Sequence, residues 1–270
     1  MQAPKTPVTT TAAVAREFAL VAVAAAAYVG VRAATEGSVA TAVANGHRIL
    51  DLEHRLGLAW EDAAQDALLD ANVLVTLANW IYIWGHWPVI VACGVVLFLR
   101  RRDAYLLLRR AMLISGGLGF LFFALLPVAP PRLLPVGLVD TVVERSGSYR
   151  ALQPPELTNQ YAAMPSLHFG WNLLVGIVLF LTFTTLAVRV FAVVMPAAMG
   201  FAVVATANHY VLDVVAGGAL VLLALAVSLA WNAATLQPHA GAPLRHRPPR
   251  RERSRRASAG RDARASLGGG

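Results

Sequence analysis

Apolar residues run along this chain in long unbroken blocks, not in the single-face stripe of a soluble helix or the alternation of a half-buried strand. Six blocks, over residues 18–34, 73–99, 106–128, 165–186, 191–207 and 210–231, are each close to the roughly 20 residues that carry a helix across a bilayer. Only helices and closed barrels satisfy their backbone in lipid. The pattern therefore predicts an all-α membrane bundle of about six transmembrane helices. Between the first two blocks lies a polar stretch, 36–70. There Ile49, Leu52, Leu56 and Leu58 alternate with His47, Arg48, Asp51, Glu53, His54 and Arg55, which predicts a short amphipathic helix on the membrane surface. A second polar loop, 129–163, carries Pro130, Pro131, Pro135, Pro154 and Pro155. No internal repeat is present.

Composition agrees with the pattern. Apolar residues make up 57% of the 270, charged residues 14%, and the mean hydropathy is +0.58. A soluble domain carries about 25% charged residues. The single cysteine, Cys93, sits inside an apolar block, so there is no disulfide framework. The net charge of +8 is local: residues 245–264 hold nine arginines against Glu252 and Asp262, a net of +7. That tail is rich in Arg, Pro, Ala, Ser and Gly without apolar period. It reads as disordered and drawn to anionic headgroups rather than to nucleic acid. The chain thus divides into an N-terminal segment 1–17, a first helix with its amphipathic outer segment 18–70, a membrane core 71–232 and the tail 233–270. The first apolar block follows Lys5 and Arg16 and reads as a retained helix, since no clear cleavage site ends it.

Positive residues then set the expected sidedness. Arg100, Arg101, Arg102, Arg109 and Arg110 place the loop between the second and third blocks in the cytoplasm. Counting outward puts both termini and Arg189 inside, and the segments 36–72, 129–163 and 207–210 outside. The expected location is a bacterial cytoplasmic membrane, with any site at the outer face.

Three polar clusters fall at those outer ends: Pro130-Pro131-Arg132, Met164-Pro165-Ser166-Leu167-His168, and Asn208-His209-Tyr210-Val211-Leu212-Asp213. Ionisable groups in membrane helices are costly and face a bundle interior or a wet cavity. His209 and Asp213, four apart, share one helix face. The carboxylate can hold one imidazole nitrogen and leave the other free to attack. Pro165 suits the first turn of a helix, so that N–H groups around Ser166 and Leu167 would offer an anion site, with His168 placed to protonate a leaving oxygen. Arg132 carries the guanidinium that matches phosphate. Each has a plainer reading: an interhelical His–Asp pair, a helix cap with an interfacial histidine, an arginine on headgroups. Together they suit phosphoryl transfer. The block 73–99 adds Asn79, Tyr82 and His86 near one face, with Trp80, Trp84 and Trp87 around them. These are interhelical hydrogen bonds or, with Asn208, substrate contacts; Asn172 invites the same two readings.

At this point the residues resemble the type 2 phosphatidic acid phosphatase (PAP2) superfamily, most of all its branch of inositol phosphorylceramide synthase and the sphingomyelin synthases. The superfamily's Pro-Ser-Gly-His motif reads Pro165-Ser166-Leu167-His168 here, and its His-x-x-x-Asp ending is His209 to Asp213. The resemblance runs over residues 72–231. It implies that His209 is the nucleophile forming a phosphohistidine, that Asp213 orients it, that His168 is the general acid, and that Ser166 and Arg132 hold phosphate oxygens, with no metal and no cofactor. The implied substrate is a lipid phosphate or phosphodiester drawn from the bilayer, with an alcohol such as inositol or a sugar as acceptor. Departures stand beside the match. Phosphatase members carry Ser-Arg seven and six residues before the last histidine, where this chain has Ala202 and Val203. A lysine expected before Arg132 falls at Leu125, and Leu133 follows Arg132 in place of proline. Arg145 or Arg150 could compensate. The loss of cations tilts the expectation from a phosphatase towards a phosphotransferase. A non-catalytic transporter, which would show helices broken near mid-membrane, and a bis-histidine haem protein through His168 and His209 are alternatives of other classes. An intramembrane serine protease fits less well, because Ser166 stands only two residues from His168.

Overall fold

The apolar blocks fold as helices. A computed structural model describes residues 11–35, 39–145 and 159–236. The Arg-rich tail, Arg150, Pro154 and Pro155 lie outside the described residues. The helices are α1 (Thr11–Thr35), α2 (Val39–Leu56), α3 (Glu61–Leu69), α4 (Asn72–Trp84), α5 (Trp87–Arg100), α6 (Arg102–Leu125), α7 (Thr141–Arg145), α8 (Leu167–Thr182), α9 (Leu186–Ala205) and α10 (Val211–Leu236), with a 3-10 turn at Pro131–Leu133. No strand forms among the described residues. An isolated bridge joins Val128 to Ala162.

The protein is an all-helical membrane protein. Among the described residues, α6, α9 and α10 are each long and apolar enough to cross a bilayer, and α4 and α5 together are long and apolar enough as a pair bent by 49°, a broken span or a re-entrant loop. Trp80, Trp84, Trp87, Val91 and Val95 on that pair are exposed, as a lipid-facing surface requires. The sequence predicts one continuous helix here; the observed break has a local cause. Pro88 has no N–H and its ring crowds the carbonyl four residues earlier, at Trp84, so α4 ends there and α5 restarts after His86.

α8 has 16 residues, about 24 Å of rise, short of a full hydrocarbon core. Its place in the bundle explains the length. Leu174, Val175, Val178 and Leu179 are buried among Leu108, Ala111, Ala192, Val221 and Ala224, so α8 is the central helix, apolar all round. In a bilayer, apolar side chains gain little by leaving lipid for one another, and close approach of backbones does more. Gly170 and Gly217 supply that approach between α8 and α10: a Cβ at Gly170 would lie 2.8 Å from the Gly217 carbonyl oxygen. Trp171 Nε1 donates to Ser115 Oγ at 3.1 Å, tying α8 to α6.

The polar stretch before α4 forms two helices, not one. The buried face of α2 is Ala42, Asn45, Gly46, Ile49 and Glu53, while Leu52 and Leu56 stay exposed. The surface helix expected from Ile49, Leu52, Leu56 and Leu58 therefore also docks on the bundle by a different stripe. Asn45 Nδ2 donates to the Pro127 carbonyl at 2.9 Å, and the Ala129 N–H donates to the Ala42 carbonyl at 3.0 Å. Gln65 of α3 exchanges bonds with the Val139 backbone at 2.9 and 2.7 Å. α2 and α3 thereby hold the connections that end α6.

Candidate active site

His209 sits in the tight turn between α9 and α10. The turn forms because Ala207 takes a left-handed conformation, φ 56°, and the N–H groups of Asn208 and His209 both donate to the Val203 carbonyl at 3.0 Å. Thr206 Oγ1 accepts from Asn208 Nδ2 at 2.9 Å, so the Asn208 amide builds the turn. As a candidate substrate contact Asn208 is thus placed differently from expectation: a buried amide already bonded within its own loop.

The bond that orients His209 comes from an unexpected quarter. Its Nδ1 lies 2.8 Å from the Ala163 carbonyl oxygen and 3.4 Å from Asp213 Oδ2. A carbonyl only accepts, so Nδ1 carries the hydrogen, and in the neutral ring Nε2 holds the lone pair. Asp213 Oδ2 makes its shorter bond, 2.9 Å, with the Tyr210 N–H at the start of α10, and Oδ1 is buried without a partner. Ala163 is fixed in turn by the bridge to Val128: the Val128 N–H donates to Tyr161 at 2.8 Å and the Ala163 N–H donates to Val128 at 3.2 Å. The sequence offers no signal for a backbone acceptor of this kind.

Ser166 is the N-cap of α8, its Oγ accepting from the Phe169 N–H at 3.4 Å. The helix therefore starts at Leu167, after Pro165, and not with Pro165 in its first turn. The Ser166 N–H, expected to face an anion, donates instead to the Asp213 carbonyl at 2.9 Å. That bond locks the two histidine-bearing segments together. The Ser166 side chain is wholly buried.

His168 lies one residue into α8, its ring centroid 5.9 Å from that of His209. It is sandwiched: Tyr82 stacks on it at 4.7 Å and 14°, and His86 lies 4.2 Å away. His86 stacks on Trp171 at 5.9 Å, and its Nδ1 is 3.4 Å from Asn172 Nδ2. The break between α4 and α5 thus delivers His86 to the site, although its place mid-block in the sequence looks too deep. Asn79 takes the structural role, with its amide bonded to the Thr141 carbonyl at 2.8 Å and to Thr141 Oγ1 at 3.0 Å.

Arg132 rests on the same turn, its N–H donating to the Ala207 carbonyl at 3.0 Å. Its Nε pairs with Asp140 at 2.8 Å, which fixes the guanidinium and leaves the Nη groups to a further anion. Arg145 bonds Asn72 at 3.1 Å on the exposed side of α7. Ala202 and Val203, where phosphatase members carry Ser-Arg, are fully buried. Ala202 packs with Leu68, Val75 and Ala78, and Val203 with Tyr82, Val142 and Met199. Helices α3 and α4 occupy the space a longer polar pair would need.

Glu53, one of the polar positions read as a surface helix, and Glu61, which the sequence does not single out, belong beneath this site. Glu53 Oε1 accepts from the Leu212 N–H at 2.6 Å and Glu61 Oε1 from the Val211 N–H at 3.0 Å. Their signal is periodicity: Glu53 continues the small-residue stripe 42, 45, 46, 49 of α2, and Glu61 leads Gln65 and Leu68 on α3. Burial and the neighbouring Glu61 and Asp213 carboxyls push the Glu53 carboxyl up to about 9, against an ordinary value of 4.5.

His86, His168 and His209 lie in a row at one end of the bundle, beside a helix start and an arginine fixed by Asp140, a set of residues suited to a membrane enzyme of the phosphatase and phosphotransferase type. The sequence pattern of the PAP2 superfamily matches residues 47–227, and the chain belongs to that superfamily. No curated protein and no solved structure matches it.

Proposed function

We propose that the protein transfers a phosphoryl-bearing group from a membrane lipid through a phosphohistidine on His209. The observation that carries this is the Ala163–Nδ1 bond, which leaves Nε2 as the nucleophilic nitrogen beside His168. Nε2 attacks phosphorus, the bond from phosphorus to the lipid oxygen breaks, and His168 gives that oxygen its proton. His168 then takes a proton from the incoming acceptor, whose oxygen displaces Nε2. Arg132 neutralises the phosphate oxygens through its Nη groups. Ser166 acts on the phosphate indirectly, by holding the start of α8. Tyr82 and His86, packed on His168, fix its ring and line the place of the headgroup. No metal takes part in these steps.

The acceptor is an alcohol such as inositol or a sugar, because apolar Ala202 and Val203 replace the polar pair of hydrolytic members. The site faces outward if the arginines near α6 mark the cytoplasmic side: α6 separates Arg102 from the Arg132 turn by about 35 Å of helix. The break between α4 and α5 is the feature a transporter would show. Here it is filled, with His86 against His168 and Trp171.

The test is the purified protein with phosphorus-labelled phosphatidate and phosphatidylinositol, with and without inositol. Labelled inositol phosphate or a headgroup-exchanged lipid is expected, together with acid-labile label on the protein that His209→Ala abolishes. Free phosphate as the sole product would replace transfer by hydrolysis. Turnover unchanged in His209→Ala would remove the mechanism.

A further inference from the structure

Three successive N–H groups at the start of α10 end on three carboxyl groups. Tyr210 donates to Asp213 at 2.9 Å, Val211 to Glu61 at 3.0 Å and Leu212 to Glu53 at 2.6 Å. The acids come from three helices, and Glu53 and Asp213 have no exposed surface while Glu61 has 2%. A helix start favours negative charge, with a strength of about one half charge. Three buried charges exceed that, and mutual repulsion at this depth is severe. Glu53 Oε2 is buried with no donor or acceptor bond of its own, and the Glu61 carboxyl lies within hydrogen-bonding reach of Glu53. An oxygen so placed needs a proton to give.

We propose that Glu53 and Glu61 are positioning residues that share one proton and clamp the first turn of α10, so holding His209 and Asp213 against Ala163 and Ser166. The pair reaches the reacting atoms only through backbone: within residues 209–213 the N–H groups of 211 and 212 carry the clamp and His209 leads the segment. This rests on the proposed role of His209. The groups facing Glu53 are Glu61 from α3 and Asp213 of α10, both acidic, and the Tyr210 side chain lies near all three. Loss of the shared proton leaves adjacent carboxylates in contact, and the clamp opens. The raised Glu53 value puts that loss at about pH 9.

The experiment uses the full chain in lipid nanodiscs, with phosphatidate turnover followed against pH for wild type, Glu53→Gln and Glu53→Ala. Wild type should lose kcat along an alkaline limb near pH 9. Glu53→Gln keeps an acceptor for Leu212 and a permanent donor for Glu61, so it should hold wild-type kcat at neutral pH and lack that limb. Glu53→Ala should lower kcat at neutral pH by about 10- to 100-fold, with KM little changed, as displacement of a catalytic group does. The same limb in Glu53→Gln as in wild type overturns the proposal. Infrared spectra decide it without any substrate: a protonated-carboxyl carbonyl band should be present at pH 7 in wild type, vanish on titration through about pH 9 and be missing in Glu53→Gln. Its absence from wild type at pH 7 overturns the pair even if turnover is normal. Its presence with no lipid turnover in any variant overturns the enzymatic reading alone.

Discussion

At one end of the bundle, Arg102 and Arg109 reach Glu17 of α1, and the Arg102 guanidinium lies 4.0 Å over the Phe98 ring. Arg110, Arg189 and Arg101 lie over Trp231, Phe180 and Phe183 in the same way, at 5.8, 4.9 and 5.9 Å. Arg102 and Arg109 keep about a fifth to a quarter of their side chains exposed. At the other end, Glu53, Ser166 and Asp213 are sealed, and His86 and His209 nearly so. Charges at the arginine end are held by flexible stems over aromatic faces, with alternatives close at hand. Groups at the histidine end are held mostly by backbone, Glu53, Glu61 and Asp213 by the N–H groups of residues 210–212 and His209 by the Ala163 carbonyl, with Arg132 on Asp140. The first arrangement anchors a helix bundle in an interface. The second holds its side chains in fixed positions, as the proposed group transfer needs.

Substitutions at the histidine end should therefore cost far more, and their sizes test the contrast. His209→Ala heads the order, with label transfer and lipid turnover falling to background in a protein that still inserts and elutes as wild type. Gly217→Ala comes next. A Cβ there would collide with the Ser166 backbone oxygen, so α8 and α10 must part. A loss of about 100-fold in kcat and about 1–3 kcal/mol in stability is expected, measured by turnover and thermal unfolding in nanodiscs. Full activity in Gly217→Ala would mean that the contact between the two histidine-bearing segments is not needed. Asp213→Asn follows. In a serine-protease triad the same change costs about 10⁴ in kcat because the tautomer is lost. Here Ala163 holds Nδ1 at 2.8 Å and Asp213 stands off at 3.4 Å. A fall of only about 10- to 100-fold is expected, and one near 10⁴ would return the orienting role to the carboxylate.

What could be read in the sequence follows the same division. Apolar run length is a property of single segments, so the helices and the two histidine motifs were legible. The site's second layer was not, because it is built by contacts between segments. Nothing local marks the Ala163 carbonyl as the partner of His209, since that role depends on the bridge between Val128 and Ala162. Glu53 and Glu61 sit 159 and 150 residues from the N–H groups they bind. His86 looked too deep because the block reads as one straight helix; the break after Trp84 moves it. In hindsight Pro88 carried that information, and a carboxylate in register with Ala42, Gly46 and Ile49 carried the other.

The shared proton also sets a pH dependence of stability. Glu53 binds its proton more tightly folded than unfolded, so between pH 4.5 and about 9 the folded protein holds a proton that the unfolded chain has lost. Stability then falls as pH rises through that window, and the contribution is gone above it. Thermal midpoints should decline from pH 5 to pH 9 in wild type, and less steeply in Glu53→Gln.

Arg109→Ala should have the smallest effect. Its partner Glu17 also receives Arg102 and the Tyr105 hydroxyl, at 3.4 and 2.8 Å, so removing one guanidinium leaves the carboxylate bonded. Part-exposed ion pairs are worth up to about 1 kcal/mol, and salt screens them. Arg109→Ala is therefore expected to lower stability by no more than about 1 kcal/mol, less at high salt, and to leave lipid turnover within about twofold of wild type. The separation of the ends makes the result informative. α6 puts about 35 Å of helix between this cluster and the Arg132 turn. A large loss of turnover in Arg109→Ala, with stability unchanged, would show that the anchoring end and the reacting end are coupled through α6 and α8. The division between a tolerant end and a fixed one would then have to be abandoned.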